Sequence, residues 1–287
     1  MFNLLATTPV APNTFEKIVI FLQRTADRPG NYGWFHLMFV GILIVACVLA
    51  CVFLRDCSKK TFKWTLFGIW VVLVLFEIYK EVVFAYNYNA ETGLGSWRYE
   101  WGSFPFQLCS TPFYVLPFAI FLKDGFVKDS ALGFLAFFSF FGGLCVYVFP
   151  NDVFATSLLG VQLQTMVHHG LQLFVGVFIV AHERKRFNLK FFVKCIPTFA
   201  VLLIVALLLN IIGYHLIDGT FNMFYIGPYY PCSLVILSDI YVKVPYIVFF
   251  LIYALGFVLA AFIMFGIQFG VVKLCGLLNK ACTKKHE

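Results

Sequence analysis

A cysteine and two histidines inside apolar segments are the side chains of this sequence best suited to chemistry. Cys109 lies near the start of one such segment, and His168 and His169 lie within another. A thiol becomes a nucleophile where a base or a positive charge favours its thiolate, so these residue types suggest covalent chemistry. Most cysteines in apolar segments only pack as small hydrophobic residues. Adjacent helical residues point about 100° apart, so one histidine is expected to face the cysteine and the other to bond a neighbouring helix.

Other polar side chains fall in the same apolar segments. Each costs a few kcal/mol at the centre of a bilayer unless it faces a partner or a cavity. Glu77 and Lys80 are three residues apart, share a helical face and are expected either to pair or to leave Glu77 to orient a histidine. Further members of the set are Glu81, Gln107, Ser110, Gln172 and Asn210. Such residues either line a shared pocket or only bond helices to one another, and their concentration at one depth favours the pocket.

A metal centre built from Cys109 and either histidine is a weaker alternative. Both residue types are good zinc or copper ligands. The sequence has no Cys-x-x-Cys pair, no zinc-ligand spacing and no glycine-rich phosphate loop. We therefore predict no cofactor and no metal.

The elements that position these residues are predicted to be transmembrane helices. Of the 287 residues, 61% are hydrophobic and 12% are charged, against about 25% charged in soluble domains. This composition excludes a soluble fold and predicts an all-α, polytopic membrane bundle, because only helices satisfy the backbone of such segments in lipid. About seven segments have the required length, at residues 34–54, 64–86, 105–122, 130–149, 158–181, 191–213 and 245–270.

The distribution of Lys and Arg predicts the orientation. Most of these residues lie in the first, third and fifth connections and in the carboxyl tail, which indicates that the amino terminus is outside and the carboxyl terminus inside. The net charge of +7 is then a topology signal, and no nucleic-acid partner is expected. This orientation places Glu77, Cys109, His169 and Asn210 at similar depths in the outward half of the membrane.

The chain is predicted to form one transmembrane domain, residues 34–270, with flanking segments. Residues 1–33 form an extracytoplasmic segment with a candidate interfacial helix carrying Phe15, Val19 and Leu22, although a solvated tail fits equally well. Residues 271–287 form a basic cytoplasmic tail, and its Lys284-Lys285 pair resembles a dilysine signal. The predicted location is the endoplasmic reticulum in a eukaryote and the plasma membrane in a bacterium. The sequence does not determine the oligomeric state.

Three short motifs together resemble the YwaF and transmembrane protein 164 family of multi-pass proteins. They are residues 105–109, Pro-Phe-Gln-Leu-Cys; residues 169–171, His-Gly-Leu; and Asn222-Met223 followed by Gly227-Pro228. The resemblance implies an acyltransferase in which a cysteine and a histidine move a fatty acyl chain between phospholipids through a thioester. Phospholipid and lysophospholipid are the implied partners. Asn222 joins the candidate site on this ground.

The resemblance leaves two positions for the cysteine. His169 matches the family histidine, whereas the strict match to the cysteine of the transmembrane protein 164 branch is Phe106, with Gln107 at its following histidine. The YwaF pattern places a cysteine at Cys109. Positions 106 and 109 are expected to share a helical face, which would let Cys109 present its sulfur from nearly the same direction.

The resulting hypothesis is a phospholipid acyltransferase with Cys109 as nucleophile and His169 as base. Gln107 or Gln172 would donate hydrogen bonds to the oxyanion, with His168 in support. The alternative is a transporter or channel in which Glu77, Lys80, Glu81 and the histidines line an aqueous route. A seven-helix receptor ranks third, on topology alone.

Overall fold

The computed structural model describes residues 6–150 and 154–283, with side chains described as far as residue 277. The Lys284-Lys285 pair lies outside the described residues. The first element, α1 (Thr14–Leu22), begins with a capping box. The Asn13 side chain accepts from the Glu16 amide at 3.0 Å, and the Glu16 carboxylate accepts from the Asn13 amide at 2.8 Å. These two bonds satisfy amides that the first helical turn leaves without partners.

Two long helices and a hairpin follow. Helix α2 (Trp34–Leu49) continues as a π-helical turn over Ala50–Leu54. Helix α3 (Lys59–Ala85) begins after Ser58, whose hydroxyl accepts from the Thr61 amide at 3.0 Å. The antiparallel strands β1 (Tyr86–Asn89) and β2 (Leu94–Trp97) pair Tyr86 with Trp97 and form a hairpin at the far end of α3.

The third predicted segment starts as a helix later than expected. A 3₁₀ turn spans Leu108–Ser110, and α4 runs from Pro112 to Phe121. Proline fits the first helical turn because its missing N–H is not needed there. Phe106 lies before both helical elements. The expectation that Phe106 and Cys109 share a helical face is therefore wrong.

The second half of the chain is also helical. Helices α5 (Phe126–Phe134) and α6 (Phe140–Val148) are joined without a break by a π-helical turn over Leu135–Ser139. The remaining helices are α7 (Leu159–Glu183), α8 (Leu189–Val193), α9 (Ile196–Leu216), α10 (Leu237–Tyr241) and α11 (Tyr246–Thr283).

The fold is a helical membrane bundle, as predicted. Within the described residues, five helical stretches are long and apolar enough to cross a membrane: Trp34–Leu54, Phe126–Val148, Leu159–Arg186, Leu189–Leu216 and Tyr246–Leu277. Helix α3 has 27 residues, and Leu108–Phe121 is a shorter apolar helix. The chain is thus a multi-pass integral membrane protein. The count of seven spans and the orientation stay predictions.

Helix α7 lies at the centre of the bundle. In its apolar window 72% of the residues are buried, against 6% for α2. It packs against α2, α3 and α6. Because α7 carries His168, His169 and Gln172, the most enclosed helix also holds the histidines and one of the amides of the candidate site.

The amino-terminal segment is docked on the hairpin end of α3. The Gln23 amide donates to the carbonyls of Val83 at 2.7 Å and Tyr86 at 2.6 Å, and the Trp97 indole donates to Glu16 at 2.8 Å. Val19 lies on the buried face of α1. The segment therefore contains the expected helix, and its position relative to a membrane stays a prediction.

Candidate functional site

The backbone of Cys109 joins the 3₁₀ turn before α4 to α7. Its carbonyl accepts from His168 Nε2 at 2.9 Å and also from Gln172 Nε2. His168 and Gln172 are four residues apart on one face of α7, so both reach the same oxygen. The 3₁₀ turn that carries the thiol is thus fixed to the central helix by two side-chain donors.

These bonds determine the state of His168. A carbonyl oxygen only accepts hydrogen bonds, so His168 Nε2 carries the proton and Nδ1 keeps a lone pair. His168 Nδ1 and Gln172 Oε1 are buried without a hydrogen-bond partner among the described residues. Unpaired buried acceptors are costly. A ligand bound beside Cys109 could donate hydrogen bonds to both of these acceptors.

His169 is held differently. Its Nδ1 donates to the Thr165 carbonyl at 2.7 Å, one turn earlier on the same helix. This bond places the proton on Nδ1 and leaves the lone pair on Nε2, which is the state that a general base needs. The rings of His168 and His169 are 5.3 Å apart. Of the two, His168 is the histidine that bonds the neighbouring segment.

Charged groups lie close to the thiol. Lys80 and Glu77 are the charged groups that act on the Cys109 sulfur. Lys80 Nζ lies 2.5 Å from Glu77 and 3.3 Å from Glu81, and it donates to the Ser103 carbonyl at 3.1 Å. Glu77 therefore pairs with Lys80 rather than with a histidine, and two carboxylates share the ammonium.

The predicted amide residues Gln107, Asn210 and Asn222, which we call the amide clamp, all bind one loop. Asn210 donates to the Met223 carbonyl at 2.8 Å and accepts from its amide at 2.5 Å. Gln107 donates to the Asn222 carbonyl at 3.0 Å and accepts from the Phe224 amide at 2.8 Å. The loop is therefore fixed from α9 and from the entry to α4.

Asn222 closes the same loop from within. It donates to the Pro231 carbonyl at 3.0 Å and accepts from the Gly227 amide at 2.7 Å. The loop includes Phe224 and Tyr225, each with φ of 56°, a left-handed conformation that is unusual for residues with side chains. The clamp holds this strained backbone in place.

Phe106, the strict match to the family cysteine, packs as an aromatic residue. Its ring is buried and stacks on Phe224 with centroids 5.8 Å apart and an interplanar angle of 17°. Tyr114 lies 5.4 Å from it. Since a phenyl ring offers no nucleophile, Cys109 is the thiol that this neighbourhood provides.

Two contributors were missing from the sequence prediction. Thr165 and Ser103 act through backbone carbonyls. A backbone carbonyl carries no sequence signal, so no pattern could have identified them. No group of three His, Cys, Asp or Glu residues in the described part of the chain is placed to hold a metal ion.

The fold defines a class, a multi-pass helical membrane protein. Its candidate site contains a thiol, two histidines and four amides, which are Cys109, His168, His169, Gln107, Gln172, Asn210 and Asn222. Residues 31–269 match the model of the TMEM164 family. The chain belongs to the TMEM164 family. No curated protein and no solved structure matches it.

Proposed function

We propose that this protein is a membrane-embedded acyltransferase that moves a fatty acyl chain between phospholipids through a thioester on Cys109. The supporting observation is the fixed environment of that residue. His168 and Gln172 anchor its carbonyl, and the bond from His169 to Thr165 leaves a basic nitrogen on His169. Membership in the TMEM164 family agrees with a cysteine and histidine acyltransferase.

In the proposed reaction, His169 Nε2 removes the thiol proton of Cys109. The thiolate attacks the ester carbon of a phospholipid, the acyl–oxygen bond breaks, and the leaving lysophospholipid takes the proton from His169. A second lysophospholipid then attacks the thioester, with His169 accepting its hydroxyl proton and the thiol as leaving group.

The oxyanion of each step needs a donor. Both polar atoms of the Gln107 amide are engaged with the loop at Asn222 and Phe224. The Gln172 amide has two N–H groups, one of which serves the Cys109 carbonyl. We assign the second to the oxyanion, where one such donor contributes about 2.7–4 kcal/mol to catalysis.

A transporter or channel is the alternative to this proposal, and it requires polar side chains along the whole route. The core at the centre of the bundle is aromatic and aliphatic instead. Its members include Leu66, Phe134, Phe137, Phe138 and Phe178, each 0% exposed. A polar group confined to one region supports a site open to one leaflet rather than a route through the bundle.

The test is acyl transfer by the purified protein in lipid nanodiscs. The donor is a phosphatidylcholine with a labelled acyl chain, and the acceptor is a lysophospholipid. Cys109→Ser and His169→Ala are each expected to lower transfer by roughly 10²- to 10⁴-fold. Cys109→Ser is also expected to remove a hydroxylamine-labile acyl adduct from the protein.

Cys145→Ala is the matched control, because Cys145 is half-buried like Cys109 but lies in α6. It is expected to retain full transfer. Undiminished transfer in both Cys109→Ser and His169→Ala contradicts the proposal. The proposed substrates are phospholipid and lysophospholipid, and the proposed location is the endoplasmic reticulum if the source is eukaryotic.

A further inference from the structure

A second cysteine and histidine pair lies at the other end of α3. Cys57 Sγ is 3.8 Å from His182 Nδ1, which is within hydrogen-bonding distance for sulfur. Cys57 lies just before Lys59, the first residue of α3. Lys80, which lies near Cys109, is 21 residues further along the same helix. At 1.5 Å per residue, the two thiols are separated by roughly 30 Å along the helix. The Cys57 pair is therefore a separate site.

The geometry of this pair suits proton transfer from the thiol. The His182 ring stacks on Phe62 with centroids 4.2 Å apart and an interplanar angle of 13°, which fixes its orientation. Cys57 is half-buried and so stays accessible. Burial raises the pKa of the Cys57 thiol, so it needs an acceptor for its proton at neutral pH, and His182 Nδ1 is in position to be that acceptor.

An apolar groove begins one turn from this thiol. The Cys57 amide donates to the Leu54 carbonyl at 3.1 Å, and Leu54 is at one end of the lining of a groove of about 500 Å³. The groove is lined by Ala46, Leu49, Ala50, Phe53, Leu54 and Phe174.

The groove continues along α2 as an exposed apolar surface. This surface belongs to one helix, shares Ala46 and Leu49 with the groove and extends to Leu37. From Leu54 to Leu37 the helical rise gives about 25 Å, more than the ~15 Å of hydrocarbon in one leaflet. The combined surface has the length and the apolar lining that one extended fatty acyl chain requires.

The surroundings of the pair are basic. Arg184 bonds to the Arg55 carbonyl at 2.8 Å and pairs with Asp56, and Lys59 pairs with Asp124 at 2.7 Å. Lys60 and Lys63 follow on the first turn of α3. A cationic rim of this kind attracts polyanionic donors such as acyl-coenzyme A. A cysteine at the end of a span is also a typical position for S-acylation.

We propose that Cys57 is an S-acylation site, activated by His182, whose acyl chain lies in the groove along α2. The thiol transfers its proton to His182 Nδ1, and the sulfur attacks the carbonyl carbon of a long-chain acyl-coenzyme A. The bond from that carbon to the coenzyme A sulfur breaks. The coenzyme A thiolate takes the proton from His182, and Cys57 keeps the acyl chain as a thioester.

The test incubates the purified protein in nanodiscs with an alkyne-tagged long-chain acyl-coenzyme A. Fluorophore coupling, hydroxylamine release and intact-protein mass follow the label. One alkyne-tagged, hydroxylamine-labile acyl group at Cys57 is expected in the wild type, separate from any untagged acyl group that the nanodisc lipids supply to Cys109, and none at position 57 in Cys57→Ser or Cys57→Ala. Cys275→Ser is the matched control, because Cys275 is exposed and has no part in the proposal, and it is expected to keep the label.

His182→Gln tests whether the Cys57 thiol reacts because His182 activates it or only because it is exposed. Its labelling rate at neutral pH is expected to fall by roughly 100-fold and to keep rising with alkaline pH, because the thiol must then ionise unaided. Ala46→Phe, which fills the groove where its two parts meet, is expected to shift the preference towards shorter acyl donors. Wild-type protein that stays unlabelled, or a label that persists in Cys57→Ser, overturns the proposal. An unchanged pH profile in His182→Gln would show that His182 does not activate the Cys57 thiol.

Discussion

The amide clamp and the pair of His168 with Gln172 contain similar residue types, but they differ in how many of their polar atoms have hydrogen-bond partners. Each amide nitrogen and oxygen of the clamp bonds a backbone group of the loop around Asn222 and Met223. By contrast, His168 Nδ1 and Gln172 Oε1 are buried without partners among the described residues. Satisfied polar groups stabilise a fold, whereas unsatisfied ones cost energy unless a ligand completes them. The clamp is thus expected to act on stability, and the α7 residues on function.

The loop explains why a clamp is needed. Left-handed conformations at residues with side chains cost about 1–3 kcal/mol each and persist only when their surroundings hold them. Phe224 and Tyr225 both adopt this conformation. The result is a fixed platform for Phe106, which stacks on Phe224 next to the turn that carries Cys109. The clamp therefore supports the candidate site through positioning.

The largest expected effect on stability is that of Asn210→Ala. Asn210 is 0% exposed and satisfies both backbone groups of Met223. Its loss leaves those groups unpaired and should lower the free energy of unfolding by roughly 2–5 kcal/mol. Thermal unfolding in detergent measures this change. Val201→Ala, on the lipid-facing surface of the same helix, is the control and should change stability by less than about 0.5 kcal/mol. Equal effects of the two variants would remove Asn210 from the clamp.

A smaller loss of stability, roughly 1–3 kcal/mol, is expected for Gln107→Leu. The variant keeps the volume of the side chain and removes its bonds to Asn222 and Phe224. Combined with Asn210→Ala, it should show a coupling of about 0.5–3 kcal/mol, because both residues hold one loop. Gln268→Leu is the control, since the Gln268 amide makes a single bond, to Ala136, and should cost less. Additive losses for Gln107 and Asn210 would show that they act on separate structures.

The helical architecture was predictable because lipid imposes one rule along the whole sequence. Residues 34–54 were predicted as a span, and the helical stretch is Trp34–Leu54. The entry to α4 was not predictable by the same rule. The predicted span at 105–122 includes residues 105–111, but Pro112 begins the α-helix, and the turn before it is 3₁₀. Hydropathy measures solvent preference and does not detect this change in backbone geometry.

The residues of the site were predictable because polar side chains cost free energy in lipid. Their hydrogen-bond partners were not predictable. Polar residues inside apolar segments identified Asn210 and Gln107 without indicating what each would bind. Gln107 bonds a loop 115 residues away, and Cys57 contacts a histidine 125 residues away. Helix order within a bundle depends on packing between distant segments. Cys57 lies between spans, where hydropathy gives no signal for a functional residue.

The smallest expected effect on stability, and the sharpest test of the comparison, is Gln172→Leu. The change removes one of two donors to the Cys109 carbonyl and also removes an unpaired buried oxygen. These terms oppose each other, so the free energy of unfolding should change by less than about 1 kcal/mol. Acyl transfer should nevertheless fall by roughly 10²- to 10³-fold, because the oxyanion loses its donor. Measuring thermal unfolding and transfer on one preparation separates the two quantities. A stability loss equal to that of Gln107→Leu with normal transfer would place Gln172 in the clamp, and the distinction between the two regions would fail.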